Sequence, residues 1–525
     1  MTYQPEIETL ADVPRFHART RPNDVALIDG DRTTTYKTFD ERTSRVANGL
    51  KALGAGPGSR IAAMDQNSDR YFEILFGAAK IGAVLVSVNW RLAPPEIAYI
   101  LNDARAEIIF VGGPFTGLLD ATSGELRHLK HIFVTDGAAY EDWLAQQSNV
   151  DPGYRGSAKD TVVQMYTSGT TGHPKGVELS HFAHYAHERN RAASPDDPQM
   201  AWNDWTNRDT SLVTMPSFHV SGTCWGIVGL YNGARSIILR QFDPAEVLSV
   251  IEKERVTKLV LVPTAIQALL QHPACRDTDF SSIAYLLYGA SPIPLDLLRE
   301  AVSVFRCGFI QLYGMTETTG AVTYLPADDH DLSGNKRMRS AGKAFTGVEI
   351  EIRDAEGRTL APGDEGEIWI RSESVMNGYW NLPDATAATM TGGNWVRTGD
   401  AGLMDEDGYV YVRDRVKDMI VSGGENIYPA EVESAMYGHP AIAEVAVIAV
   451  PDPKWGEAVK AIVVLKPNAE PDAKAILDFT RTRIAGYKVP KTVDFVEVLP
   501  KNGTGKVLKR ELRKPFWEGR ERQVN

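Results

Sequence analysis

Residues 166–176 read YTSGTTGHPKG and follow the apolar, β-branched run 162–165. Thr167, Ser168, Gly169, Thr170, Thr171 and Gly172 form a flexible loop rich in backbone N–H and hydroxyl donors, the lining that polyphosphate oxygens require. Lys175 adds a positive point charge. The loop is not a Walker A motif. Pro174 rather than Gly precedes the lysine, and Gly176 rather than Ser or Thr follows it, which removes the hydroxyl that would ligate magnesium. An exposed Ser/Thr/Gly linker would have no need of Pro-Lys-Gly at a strand exit.

Outward from this loop, between about residues 25 and 325, short apolar runs such as 108–111, 259–262 and 285–288 alternate with longer helical patterns. That alternation predicts α/β layers. Many runs end at Gly or Pro (Gly112, Pro263, Gly289, Gly314), so the ligand-bearing loops are expected at strand ends. After Gly347 closely spaced strand-like runs (348–352, 367–370, 409–412) are separated by Asp-Gly and Glu-Gly turns, as in a small β-rich subdomain. A third layout starts near Lys417: a helix from about Pro429, strands at 445–450 and 461–465, a helix from Asp472 and a basic tail. The expected fold is therefore α/β, with a large multi-subdomain N-terminal domain, 1–416, and a small α+β C-terminal domain, 417–525.

A hydrophobic share of 43% with 24% charged residues is ordinary for a folded protein and shows no sign of repeats. The formal net charge of -12 opposes bulk binding to nucleic-acid phosphate, so no nucleic-acid partner is expected. The first residues show no export signal. The apolar stretch 74–88 is broken by Lys80 and by glycines, so no transmembrane segment is expected. Three cysteines, Cys224, Cys275 and Cys307, have spacings that suit neither a zinc knuckle nor a disulfide framework, which predicts a reducing cytoplasm. Cys224, in the apolar segment 222–230, is read as a buried structural thiol.

The loop resembles the phosphate-binding signature of the adenylate-forming superfamily: acyl- and aryl-coenzyme A synthetases, adenylation domains and luciferases. The chain looks closest to bacterial fatty acyl-coenzyme A synthetases. Further family-like segments follow in order: Gly289-Ala290-Ser291-Pro292, Tyr313-Gly314-Met315-Thr316-Glu317, Trp395-Val396-Arg397-Thr398-Gly399-Asp400, Arg415 with Gly423-Gly424-Glu425-Asn426, and Gly503-Thr504-Gly505-Lys506. The resemblance covers nearly the whole chain and implies ATP, Mg²⁺ and coenzyme A.

Each segment also has a chemical reading. Tyr313 offers a flat face for adenine; Thr316 supplies a hydroxyl for the α-phosphate, and Glu317 a hard carboxylate for Mg²⁺, which needs few protein ligands. Asp400 can accept from both ribose hydroxyls, and Arg415 can add a ribose or phosphate contact. The backbone of Gly289 and Ala290, with Ser291 and Gly314, resembles the family's adenine-lining strip. Lys506, on a Gly-Thr-Gly loop, can reach both the acid's carboxylate and the α-phosphate as charge builds between them. The resemblance further implies a mobile C-terminal domain that swings about Lys417, and a coenzyme A channel at Gly423, Gly424, Glu425 and Trp455.

Residues 215–222 resemble the motif at the carboxylate pocket, where amino-acid-activating relatives carry an acidic residue. Here His219 stands in that place, and an imidazole cannot anchor an ammonium. No charged side chain occurs between Thr214 and Ala234, and glycines 222, 226 and 229 are expected to leave space beside Trp225. The acyl pocket is thus assigned to His219, Val220, Cys224, Trp225, Gly314 and Met315, and the acid is expected to be a medium- or long-chain fatty acid. The alternatives are an aryl or alicyclic acid, and a stand-alone adenylation enzyme that loads a carrier protein. No carrier domain follows before Asn525. The expected partners are the small carboxylic acid, ATP and coenzyme A; a homodimer is compatible with the sequence.

Overall fold

The computed structural model describes residues 4–167, 174–193, 197–291, 293–331, 333, 335–415, 418–422, 425–501 and 507–518; for Ala193, Arg415 and Asn426 it describes the backbone alone. Two large sheets carry the N-terminal part. The first has seven strands in the order Gly378–Tyr379, Lys175–Ser180, Thr161–Thr167, Val84–Ser87, Arg60–Met64, Ile108–Val111, His131–Val134. Its centre is parallel, and Thr161–Thr167 pairs antiparallel with Lys175–Ser180 so that Thr167 faces Lys175. The phosphate-loop sequence is therefore the connection of a β-hairpin.

The second sheet has nine strands in the order Lys343–Ala344, Gly320–Leu325, Gly308–Met315, Tyr285–Gly289, Lys258–Leu261, Thr210–Val213, Arg235–Ile238, Val25–Asp29, Arg32–Thr35. Two helices fill the space between the sheets. Asp69–Ala79, capped by the Ser68 hydroxyl on the Tyr71 amide, is buried at every residue. Its Phe72 packs into Gly226 of the second helix, Val220–Tyr231: a Cβ on Gly226 would lie 2.2 Å from that ring. Burying a phenylalanine in this way contributes about 1.5–3 kcal/mol, and it requires the helix partner to lack a side chain at the contact.

A third, antiparallel sheet is built on Glu349–Arg353, Gly366–Arg371 and Trp395–Met404, which also pairs with Met390–Thr391 and Val410–Arg415. The chain leaves this sheet at Arg415 and enters a fourth at Ile420–Ser422, joined by Glu425–Ile427, Ile442–Asp452, Gly456–Leu465 and Thr492–Phe495. This last unit has its own core, including Ile420, Val432, Met436, Val447 and Val459. The architecture is the expected one: a large layered α/β domain with a β-rich annex, then a small α+β domain. All three cysteines are free thiols. Among the described residues no helix is long and apolar enough to cross a membrane.

Candidate active site

The phosphate hairpin, the end of the nine-stranded sheet and the short strand Gly378–Tyr379 converge on one tyrosine. Tyr379 pairs with Val177 beside the hairpin. The Lys175 ammonium stands 4.8 Å from its ring centre, and its hydroxyl donates to Glu317 Oε1 at 2.8 Å. Glu317 is 7% exposed and sits on the 3-10 turn Thr316–Thr318, directly after Gly308–Met315. That turn is fixed by the Met315 amide donating to the Thr318 hydroxyl and by the Met376 amide donating to the Glu317 carbonyl. Tyr379 thus holds a cation on its face and a carboxylate at its tip. Tyr379 has no place in the sequence expectations, and its one signal there is the Gly-Tyr-Trp run at 378–380.

The carboxylate suits a magnesium ion that keeps most of its ligands as water and phosphate oxygen. Tyr379 occupies one oxygen of Glu317, and among the described residues the other has no protein partner. Among the described residues no group of three His, Cys, Asp or Glu side chains forms a closed metal cage.

Beyond this carboxylate, two parallel strands finish side by side. Gly289 is paired with Leu312, and a Cβ there would lie 2.2 Å from the Leu312 carbonyl oxygen, so the close approach demands glycine. Ala290 follows with φ +67°, a left-handed backbone that non-glycine residues seldom adopt and that clusters at functional sites. The Tyr313 hydroxyl donates to Asp400 Oδ2 at 2.7 Å, which fixes the ring next to the Gly289–Ser291 turn's strand. Asp400 is held by its own amide donating to the Thr398 hydroxyl, and it stands opposite Arg415 in the antiparallel pair. The structure therefore brings Lys175, Thr316, Glu317, Tyr313, Gly289, Ala290 and Asp400 onto the adjoining ends of two sheets and their annex.

His219 immediately precedes the helix Val220–Tyr231 and makes no side-chain capping hydrogen bond to it. Its loop is pinned by Asn67, whose side chain donates to the Met215 and Leu239 carbonyls and accepts from the Ser217 amide. Burial and then the nearby Arg91 charge lower the imidazole pKa to about 3, so the ring is neutral at physiological pH. Its Nε2 has no partner among the described residues. Beside this loop lies a cavity of about 310 Å³ lined in part by Trp90, Arg91, Met215, Phe218, Arg240 and Phe242.

One expectation is corrected here. Glycines 222, 226 and 229 do not leave room beside Trp225: a Cβ on each would meet the Pro216 carbonyl at 2.2 Å, Phe72 at 2.2 Å and the Ser236 hydroxyl at 2.7 Å respectively. They let the helix close on its neighbours. Trp225 is core, packed 5.2 Å from Trp205 and donating to the Leu212 carbonyl. The partly exposed face of this helix carries Val220, Cys224 and Val228, with the Cys224 thiol 3.6 Å from the Thr319 carbonyl oxygen.

In the small domain, Glu425 pairs with Ser422, which also pairs with Gly456, so Glu425 and the 43% exposed Trp455 share one end of its sheet. The last helix, Lys509–Trp517, reaches both sides of the inter-sheet connection: Lys509 pairs with Asp414 at 3.6 Å and with Glu433, while Arg513 pairs with Asp418 at 2.8 Å. Ser168, Gly169, Thr170, Thr171, Lys417, Gly423, Gly424 and Lys506 lie outside the described residues.

Comparison with known proteins identifies the family. Residues 15–380 match the family described as AMP-binding enzyme, and residues 431–506 match the AMP-binding enzyme C-terminal domain. A fatty acid–acyl-carrier-protein ligase of Streptomyces coeruleorubidus is 39% identical over 100% of this chain and 99% of its own. A feruloyl-CoA synthase of an Amycolatopsis species is 38% identical over 97% of this chain and 99% of its own. The solved structure of a Mycobacterium tuberculosis fatty acyl-CoA synthetase superposes with a TM-score of 0.75 at 34% identity, covering 98% of this chain and 99% of that one. The chain belongs to the AMP-binding enzyme family, the ATP-using, adenylate-forming ligases that join carboxylic acids to thiols.

Proposed function

We propose that this enzyme activates a medium- or long-chain fatty acid as its acyl adenylate and transfers the acyl group to coenzyme A. The observation that carries the first half is Tyr379, which holds the Lys175 ammonium over its ring face and the Glu317 carboxylate at its hydroxyl, a cation and a metal-binding carboxylate side by side as a metal-bound polyphosphate requires. Gly289, Ala290, Ser291 and Tyr313 line the adenine; Asp400 and Arg415 take the ribose; the hairpin loop and Lys175 take the outer phosphates. Mg²⁺, held by Glu317, would neutralise charge on the departing pyrophosphate. The acid's carboxylate oxygen attacks the α-phosphorus in line. The bond from that phosphorus to the bridging oxygen breaks, and pyrophosphate leaves. The Thr316 hydroxyl and Lys506 stabilise the charge that builds on the α-phosphate.

For the second half, residues 417–525 turn about Lys417 relative to residues 1–416, withdrawing Lys506 and presenting Gly423, Gly424, Glu425 and Trp455 to the thiol. The thiolate sulfur attacks the acyl carbonyl and AMP leaves with the bonding pair. A neutral His219 and the uncharged stretch 214–234 favour an acid without an α-ammonium. A second acceptor, an acyl carrier protein, is favoured by the name of the Streptomyces relative.

The test is AMP release from a panel of straight-chain, aryl, alicyclic and amino acids, with coenzyme A or with a phosphopantetheinylated carrier protein. Highest kcat/KM for a straight-chain acid with coenzyme A is expected. Preference for an amino acid, or indifference to coenzyme A, would overturn the proposal; preference for an aryl acid would overturn its fatty-acid part.

A further inference from the structure

Among the described residues, no other residue hydrogen-bonds the carboxyl of Glu188. Helix Ala186–Ala193 lies over the strand Gly320–Leu325: the His187 ring bonds the Ala321 carbonyl at 2.8 Å and stacks on Phe345 at 4.5 Å. The next residue, Glu188, is only 3% exposed. Among the described residues its carboxyl is met only by its own backbone amide. Burial pushes its pKa up to about 7. Buried polar groups are nearly always paired, so an unpaired carboxyl requires an explanation.

Its surroundings repeat the pattern. Glu188 is close enough to Cys224 for its charge to reinforce the burial that raises the thiol pKa to about 12. The Cys224 thiol touches the Thr319 carbonyl, and Thr319, 5% exposed, has a buried hydroxyl with no partner among the described residues. Beside it Gly320, at φ +99°, has no atom within 4 Å of where a Cβ would stand. The Glu188 carboxyl and the Thr319 hydroxyl therefore both lie near Cys224, where the helix Val220–Tyr231 abuts the turn that carries Glu317. Cys224 is five residues along that helix from His219, about 7 Å of axial rise, on the partly exposed stripe that also holds Val220 and Val228. That distance is the reach of a short chain or of one ring.

We infer that Glu188 and Thr319 form a polar end to the acyl pocket that hydrogen-bonds a hydroxyl carried by the substrate, so that the preferred acid is hydroxy-substituted rather than plain. The inference rests on the acyl-ligase reading above and narrows its substrate. A hydroxyl suits this pair because it both donates and accepts. It can donate to the ionised carboxyl or accept from the protonated one, and its remaining capacity meets the Thr319 hydroxyl. A fixed ammonium would instead depend on a full negative charge that burial opposes.

The test measures kcat/KM by AMP release, with coenzyme A present, for straight-chain acids and for counterparts whose hydroxyl is moved one carbon at a time. Wild type, Glu188→Gln and Glu188→Leu are compared. One hydroxyl position should exceed its plain counterpart by about ten-fold in wild type, the factor carried by one such hydrogen bond. Glu188→Gln should retain most of that preference, and Glu188→Leu should reverse it. Wild type that uses every plain acid as well as its hydroxy counterparts overturns the inference without any variant, even if Glu188→Leu fails to fold. A preference that survives in Glu188→Leu overturns it as well. No AMP release from either series would sink the acyl-ligase reading and the inference together.

Discussion

Replacing Tyr379 by phenylalanine removes one oxygen atom from the point where the phosphate hairpin meets the Glu317 turn. The ring that faces Lys175 stays, and so does the strand pairing with Val177. What is lost is a 2.8 Å hydrogen bond to a buried carboxylate. Hydrogen bonds to charged groups contribute about 1.5–3 kcal/mol, and the carboxylate oxygen left behind is not freely hydrated. A loss near 2 kcal/mol corresponds to about 30-fold. It should fall on the half-reaction that uses MgATP, because Glu317 is then free to leave its position. The assay is pyrophosphate release under single-turnover conditions, set beside thioester formation from synthetic acyl adenylate and coenzyme A. Pyrophosphate release should slow about 30-fold while thioester formation changes less than two-fold. Equal losses in both halves would show that the tyrosine only maintains the fold, and no loss in either would refute the cation–tyrosine–carboxylate reasoning.

Four further outcomes are expected. Lys506→Ala should depress adenylate formation by orders of magnitude yet leave a supplied adenylate convertible to thioester; comparable loss in both would remove Lys506 from the first step. Lys417→Pro restricts the backbone torsion that domain rotation must change, so thioester formation should suffer more than adenylation, and wild-type rates in both would mean the pivot lies elsewhere. Gly226→Ala drives a methyl into Phe72 and should destabilise the protein by about 1–3 kcal/mol by urea unfolding, with Phe72→Leu restoring part of the loss; an unchanged midpoint would contradict the packing. His181 and His184 are buried, and His187 and His219 partly so, with pKa values lowered to about 3 or 4, chiefly by desolvation. The unfolded chain takes protons first, so stability is full above about pH 6.5 and is lost as pH falls towards 4; a urea midpoint that stays flat from pH 7 to 5 would disprove this.

The phosphate hairpin is legible in sequence because everything it needs is local: a β-branched entry, small hydroxylic residues, and a lysine across from Thr167. The same holds for the Gly289 turn, where the absence of a side chain announces a close backbone approach. Tyr379 is not legible. It reaches Glu317 from 62 residues away through an edge strand of only two residues, Gly378–Tyr379. Glycine 226 misleads for a related reason. In sequence it resembles vacant space, but the atom that fills the vacancy belongs to Phe72 on another helix. Glu188 is hidden in the same way: its own segment is polar, and the apolar stretch 214–234 gives no sign that a buried carboxyl lies near Cys224.

The 2.7 Å bond from the Tyr313 hydroxyl to Asp400 bears on how readily the nucleotide departs. On the proposed role of Asp400, an incoming ribose exchanges one hydroxyl donor for another and does not satisfy a bare carboxylate. When AMP leaves, Tyr313 resumes its place, and the departure strands no buried charge. The aspartate then discriminates by position while adding little to grip, and the tyrosine serves as a resident substitute for the sugar between turnovers.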